Sequence, residues 1–76
     1  MKEFYVILSS INDVKNFVNI VTKYDYEIDL TSGRYVVDAK SIMGIFSLDL
    51  SKPIKVEAHG IDCSDLLGEL EPFIKK

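Results

Sequence analysis

Four short segments with the pattern of β-strands constrain the fold of this chain more than any other feature. They are residues 2–8, 26–30, 35–39 and 54–58. In the first segment, Phe4, Val6 and Leu8 fall on one side, which is strongly apolar, and Tyr5 and Ile7 fall on the other. Alternation with a period of two is typical of strands that bury one face. The turn residues 31–34, Thr-Ser-Gly-Arg, join the second and third segments as a hairpin. The chain is therefore predicted to form a four-stranded sheet.

Two segments between the strands have helical spacing instead. Apolar residues at positions 14, 17, 18 and 21 form one stripe and predict a helix from about Asp13 to Lys23, after a break rich in capping residues. Ser41 can cap a short helix from Ile42 to about Leu48.

A third helix is predicted near the end of the sequence. Asp62 is its predicted N-cap, and its apolar side carries Leu66, Leu67, Leu70, Phe73 and Ile74. Pro72 removes a backbone donor and predicts a kink or an early end.

The element order β-α-β-β-α-β-α predicts an α+β fold with three helices on one face of an antiparallel sheet. A ferredoxin-like sandwich is the alternative topology. With 47% hydrophobic and 28% charged residues, the 76 residues are expected to form a single domain, residues 1–76. The one cysteine, Cys63, cannot form an intramolecular disulfide.

Charge and hydropathy exclude two classes of partner. The net charge is −3, Arg34 is the only arginine and the lysines are scattered, so there is no basic footprint for nucleic acid. No apolar run approaches the roughly 18 residues of a membrane span. Because residues 1–4 lead directly into a strand pattern, no signal peptide is expected and a cytoplasmic location is predicted.

The residues with reactive side chains form no catalytic motif. His59, the only histidine, follows the fourth strand and could shuttle a proton or bind a metal with Asp62, Cys63 or Asp65. A surface histidine is the simpler interpretation. Cys63 would lie in the first turn of the last helix, where the helix dipole could lower its pKa, but no second cysteine could resolve an oxidised state. No enzymatic activity, cofactor or metal is expected.

The segment Lys40–Leu48 is unusually apolar for a helix so short. Ile45 and Leu48 are three residues apart and can face the core, whereas Ile42, Met43 and Phe46 lie on other sides and are expected to stay exposed. An exposed apolar patch beginning at a serine indicates a protein-docking surface. A helix fully covered in a small core is the alternative.

This segment resembles the bacterial phosphocarrier protein family HPr. The resemblance runs from residues 22–25, Thr-Lys-Tyr-Asp, through the hairpin to residues 40–44, Lys-Ser-Ile-Met-Gly, and residues 47–48, Ser-Leu. In element order it covers nearly the whole chain. It implies an open-faced β-sandwich with strand order 1-4-2-3.

The family's phosphocarrier activity depends on a histidine that begins the first helix and is followed by Ala-Arg-Pro. Here the junction is shorter and contains Ser10, Ile11, Asn12 and Asp13, with no histidine, arginine or proline. A phosphohistidine relay needs an imidazole nucleophile and donors for the phosphoryl oxygens, and Asp13 would repel that group. The resemblance therefore implies a degenerate active-site loop and loss of phosphate transfer.

Two further family features are retained. Ser41 matches the serine that a regulatory kinase phosphorylates in Gram-positive relatives. The partner-binding surface is matched by Ile42, Met43, Phe46 and Ser47. The chain is similar to members that lack the histidine and act in carbon catabolite regulation.

The resemblance implies protein partners: a serine kinase/phosphatase, a transcriptional regulator or a phosphotransferase component. A monomer or weak dimer is expected. Two alternatives remain open: an unorthodox phosphocarrier that uses His59, and a drifted paralogue with an unrelated partner.

Overall fold

The fold is an antiparallel sheet covered on one face by helices, as a computed structural model describes it for residues 2–75. The elements are β1 (Lys2–Val6), α1 (Ile11–Val21), β2 (Ile28–Ser32), β3 (Tyr35–Asp38), α2 (Ile42–Phe46), β4 (Ile54–Ala58) and α3 (Ser64–Leu70), followed by a 3-10 turn (Glu71–Phe73). The strand order is β1-β4-β2-β3, and every pairing is antiparallel. This order confirms the predicted α+β open-faced sandwich and excludes the ferredoxin-like alternative.

One hydrophobic core lies between the sheet and the helices. The α1 stripe is buried as predicted, because Val14, Phe17 and Val21 are fully inaccessible to solvent. The Phe17 ring meets the Phe73 ring edge-on, with centroids 6.2 Å apart. The strands supply the other wall, to which every second residue of β4 contributes (Ile54, Val56 and Ala58). The period of two thus decides which face of each strand is buried.

Helix α1 begins two residues earlier than predicted, at Ile11 instead of Asp13. Ser10 is its N-cap, and the Ser10 hydroxyl accepts a hydrogen bond from the Asp13 N–H at 3.1 Å. The Asp13 carboxylate in turn accepts from the N–H and hydroxyl of Ser9, at 3.2 and 3.0 Å. This reciprocal bonding resembles a capping box and selects Ser10 among several polar candidates. The helix also ends earlier, at Val21 instead of Lys23.

The start of α3 is a second correction. Asp62 is not the N-cap, since its carboxylate accepts a hydrogen bond from the Ser64 N–H at 3.0 Å in a turn that precedes the helix. Cys63 occupies the cap position and so lies before the first turn, not in it. The effect of Pro72 agrees with the prediction, because the α-helix gives way to the 3-10 turn that contains it.

The remaining boundaries shift by up to two residues. Strand β2 runs from Ile28 to Ser32, so Thr31 and Ser32 belong to the strand, not to the turn. The tight turn is Gly33–Arg34. Gly33 has φ of +60°, a conformation that glycine adopts without strain. β1 and α2 end two residues before the predicted limits, and yet Leu8 and Leu48 remain buried.

Candidate functional site

The N-terminus of α2 presents an exposed serine. The Ser41 hydroxyl accepts a hydrogen bond from the Gly44 N–H at 3.2 Å, which makes Ser41 the N-cap predicted from the sequence. The Ser41 N–H donates to the Asp38 carbonyl at 3.0 Å and so joins the helix directly to the end of β3. The side chain is thus held in position but remains open to solvent.

Because Gly44 has no side chain, α2 can lie close to its N-cap, Ser41, and to Val37 of β3. A β-carbon at this position would lie 3.2 Å from the Ser41 hydroxyl oxygen and 3.3 Å from the β-carbon of Val37. Both distances are shorter than ordinary contacts between such atoms. The absence of a side chain at Gly44 therefore favours the position of the Ser41 hydroxyl over the first turn.

Lys40 holds the segment that precedes β2 against the start of α2. Its ammonium group donates to the carbonyl oxygens of Tyr24 and Tyr26, at 2.5 and 3.1 Å. Its backbone N–H donates to the Asp38 carboxylate at 2.8 Å. No local sequence pattern indicates this role for Lys40, because the Tyr26 and Tyr24 carbonyls lie 14 and 16 residues away in the chain.

The same segment is also tied to α3. The Glu69 carboxylate accepts hydrogen bonds from the ammonium of Lys23 and the hydroxyl of Tyr24. Hydrogen bonding to Glu69 raises the pKa of Tyr24 to about 12, because ionising the phenol would place two negative charges together. The bonds from Lys23 and Tyr24 lower the pKa of Glu69.

Apolar side chains on α2 divide between the core and solvent as the spacing predicts. Ile45 is fully buried and Leu48 is 8% exposed, whereas Met43 is 77% and Phe46 is 41% exposed. Ile42 differs slightly, since it is half-buried against the core. An exposed methionine beside an exposed aromatic ring forms an adaptable apolar surface.

Ser47 closes the other end of α2. Its hydroxyl donates to the Gly44 carbonyl at 2.6 Å, which satisfies one of the last carbonyls of the helix. Ser47 is exposed, so Ile42, Met43, Phe46 and Ser47 form one patch of accessible or half-buried side chains. This patch, which the sequence predicts to bind protein partners, is called the docking surface below.

The junction between β1 and α1 has the chemistry of a helix cap. The Ser10 hydroxyl and the Asp13 carboxylate are both engaged in capping bonds. Ile11 is 63% exposed and Asn12 is exposed. None of these side chains is a nucleophile comparable to imidazole, and the carboxylate adds negative charge where a phosphoryl group would have to bind.

His59 lies far from that junction. Val6, at the end of β1 next to the junction, pairs with Ile54, whereas His59 follows Ala58 at the other end of β4. Four residue steps along a strand span about 13 Å. The His59 ring Nε2 is 3.1 Å from the Asp29 carboxylate, so the imidazole takes part in a surface contact on the sheet.

Cys63 and the acids near it do not form a metal centre. Cys63 is 8% exposed, and its Sγ faces the carbonyls of Ala58 and Gly60 at 4.0 and 3.8 Å. Within residues 2–75, no group of three or more His, Cys, Asp or Glu side chains is arranged to hold a metal ion. The suggested grouping of His59 with Asp62, Cys63 and Asp65 is therefore not assembled.

Comparison with known proteins identifies similar chains over most of this length. A family model described as the PTS HPr component phosphorylation site matches residues 13–76. The crystal structure of HPr-C-His from Thermoanaerobacter tengcongensis is 29% identical with a TM-score of 0.79, covering 95% of this chain and 89% of that one. The crystal structure of a phosphocarrier protein HPr from Bacillus anthracis str. Ames is 26% identical with a TM-score of 0.72, covering 97% and 94%.

The matched range leaves out the first part of the chain. It begins at Asp13, so Ser10, Ile11 and Asn12 of the β1–α1 junction fall outside it, whereas all of α2 falls inside it. Separately, no helix within residues 2–75 is both long enough and apolar enough to cross a membrane.

Proposed function

Because this chain belongs to the HPr family of the phosphotransferase system, we propose that it is a non-enzymatic regulatory module that binds other proteins. Binding occurs through the docking surface on α2, and phosphorylation of Ser41 regulates it. The observation that carries the proposal is the position of Ser41: an exposed hydroxyl caps the same short helix that exposes Met43 and Phe46.

Phosphorylation at this position would change the docking surface without disturbing the core. A phosphate adds a charge of about −1.5 to −2 at neutral pH. Ser41 is exposed, so the added group would need no desolvation, and the charge would stand beside Met43 and Phe46. The Asp38 carboxylate, which accepts a hydrogen bond from the Lys40 N–H next to Ser41, would repel the phosphate. Phosphorylation would then weaken the binding of a partner that prefers an apolar surface and allow the binding of one that requires the phosphate.

Loss of phosphate transfer through histidine is the second part of the proposal. The junction at which a relay histidine would begin α1 has Ser10 as its cap, and His59 lies beyond the opposite end of β4. His59 carries the only imidazole in the chain, and its ring lies beside the Asp29 carboxylate, whose negative charge would repel a phosphoryl group. The carrier role of the family is therefore proposed to be absent from this member.

The proposed partners follow from the family and from the surface. They are a serine kinase/phosphatase, and either a transcriptional regulator or a component of the phosphotransferase system, all in the cytoplasm. Carbon catabolite regulation is the proposed context. The exposed methionine and phenylalanine would be the central contacts, because flexible apolar and aromatic side chains carry much of the energy of protein interfaces.

A kinase assay with intact-mass detection tests the regulatory site. Wild-type protein, Ser41→Ala and Ser10→Ala are incubated with ATP and the serine kinase that modifies Gram-positive HPr proteins, with such an HPr as the positive control. We expect one phosphate on the wild type and on Ser10→Ala, and none on Ser41→Ala. Ser10 is a matched control because it is also an exposed serine that caps a helix, and it lies outside the docking surface. Unmodified wild type beside a labelled control HPr would contradict the proposal.

The docking surface is tested in the same assay through the Michaelis constant of the kinase for its protein substrate. Met43→Asp should raise this constant about tenfold, since exposed apolar anchors contribute about 1 kcal/mol or more at interfaces. Ile61→Asp is the control, because Ile61 is fully exposed in the loop after β4. Equal effects of the two substitutions would show that the docking surface is not used.

A further inference from the structure

We propose that a cleft beside the β2–β3 turn binds a small phosphate ester with a ring. The cleft has a volume of about 440 Å³ and lies between the turn and the loop that follows α2. Its lining includes Ser32, Arg34, Tyr35, Ser47, Asp49 and Lys52. The site shares Ser47 with the docking surface but includes neither Ser41 nor Ile42, Met43 or Phe46. Binding of the ester therefore does not require the proposed function.

Two cationic side chains at this cleft keep their hydrogen-bond donors free. Within residues 2–75, the Arg34 guanidinium forms no hydrogen bond or ion pair, and the Lys52 ammonium forms none either, although its charge acts on the Asp49 carboxylate and helps to lower the pKa of that group. By contrast, the ammonium groups of Lys23, Lys40 and Lys55 are engaged with carboxylates or carbonyls. The cleft thus holds the chain's only arginine beside a lysine, both with their donors unused.

The donors fit a phosphate better than a carboxylate. A guanidinium group offers paired N–H donors and an ammonium group three more, which matches an anion with three terminal oxygens and nearly two charges. Ser32 lines the same cleft and carries a hydroxyl that can donate to a phosphate oxygen. The Ser47 hydroxyl is not counted as a donor, because it already donates to the Gly44 carbonyl.

The size of the cleft indicates a ligand larger than inorganic phosphate. Ligand clefts are commonly about 300–1,000 Å³, and this one lies within that range. Tyr35 lines the cleft and is 66% exposed, so its aromatic side chain is accessible to a ligand. A ring on the ester can pack against Tyr35 while its phosphate lies between Arg34 and Lys52.

The negative charge of Asp49 limits the affinity of the cleft for a phosphate ester. Its carboxylate accepts hydrogen bonds from the N–H and hydroxyl of Ser51, at 3.0 and 2.5 Å, so it is held as a negative charge at the cleft. With Arg34 and Lys52 it leaves one net positive charge facing the ligand. Removing the Asp49 charge should therefore strengthen binding of an anion.

Nuclear magnetic resonance titration of the full chain tests the site, with phenyl phosphate as the probe and inorganic phosphate and phenol as comparisons. Phenyl phosphate should shift the backbone amides of residues 32–35 and 47–52 and leave those of α1 and β1 in place. Arg34→Gln and Lys52→Gln should each weaken binding about fivefold or more, and Asp49→Asn should strengthen it about twofold.

Lys15→Gln is the matched control, because Lys15 is an exposed lysine on α1 without a partner in residues 2–75. It should leave the affinity unchanged. Amide shifts spread over the whole surface would contradict a binding site at this cleft. An equal loss of affinity for phenyl phosphate in Lys15→Gln and Lys52→Gln would contradict it as well. Equal affinities for phenyl phosphate and inorganic phosphate would overturn the role given to Tyr35.

Discussion

The ring of Tyr26 lies so close to Gly60 that a β-carbon added at Gly60 would be only 2.7 Å from the ring Cδ2. Tyr26 belongs to the segment whose carbonyls Lys40 holds, and Gly60 belongs to the turn from β4 to α3. The Tyr26 hydroxyl is buried beside the Cys63 thiol and completes no hydrogen bond among the described residues. The segment before β2 and the turn after β4 therefore pack closely against each other through the Tyr26 ring and Gly60.

Replacing Gly60 by alanine should destabilise the protein by about 1–3 kcal/mol, because the ring and the loop backbone must move apart to admit the methyl group. Gly68→Ala is the matched control: a β-carbon there meets nothing within 4 Å. Gly68 lies inside α3, so alanine should stabilise the protein by about 0.5–1 kcal/mol. Urea unfolding followed by circular dichroism measures both changes. Equal effects in the same direction would contradict the contact.

Phe17→Ala should lower the free energy of unfolding by about 3–5 kcal/mol, a large share of the stability of a domain this small. The side chain is fully buried and its ring meets that of Phe73. Ile11→Ala, on the same helix but at a residue 63% exposed, should change stability by less than about 1 kcal/mol. Denaturant unfolding of both variants measures these changes in the free energy of unfolding. A small decrease for Phe17→Ala would contradict the buried position of this side chain.

Stability should fall as pH rises between 10 and 12. The folded-state pKa of Tyr24 is about 12 compared with 10.0 for an ordinary tyrosine, so the folded protein keeps a proton that the unfolded chain loses in this window. Burial and the neighbouring Cys63 thiol similarly raise the pKa of Tyr26 to about 12. Ultraviolet titration of tyrosinate, together with unfolding at several pH values, measures both effects.

Glu69→Gln separates the two tyrosines. Without the carboxylate acceptor, the pKa of Tyr24 should move towards 10.0, and the high pKa of Tyr26 should remain because burial is its main cause. Glu69 affects stability in the opposite pH direction, because its pKa is lowered in the folded state. Its contribution to folding stability is therefore present above pH 4.5 and is lost as pH falls through the folded-state pKa. Glu3→Gln, which removes a carboxylate paired with Lys55, should leave the Tyr24 titration unchanged.

Phosphoenolpyruvate and the general kinase of the phosphotransferase system should give no acid-labile phosphate on this protein. The junction at Ser10–Asp13 has no imidazole, and His59 is in contact with Asp29 at the far end of the sheet. Intact mass before and after acid treatment is the measurement, with an HPr that has the active-site histidine as the positive control. A gain of about 80 Da, lost in His59→Ala, would establish the unorthodox carrier instead.

Helix starts were harder to predict from the sequence than the strands and the buried stripe. The residues from Ser9 to Asp13 include several good caps, and each alone would be acceptable. The structure uses Ser10, because Ser9 and Asp13 can then bond to each other across the cap. Similarly, Asp62 has the right residue type for a cap but bonds to Ser64 within a turn. Neighbouring bonds, not residue type alone, decide where a helix begins.

The element order, the buried face of each strand and the capping role of Ser41 follow from local patterns of residues, because periodicity and capping are properties of a few adjacent positions. Contacts between residues distant in the chain arise only when the elements pack together. These include Lys40 with the Tyr24 and Tyr26 carbonyls and Tyr26 with Gly60, and packing also brings Arg34 and Lys52 to one cleft. Such contacts depend on how strands and helices pack against one another, and a hydrophobic pattern specifies which face is buried but not which polar groups meet at the ends of the sheet.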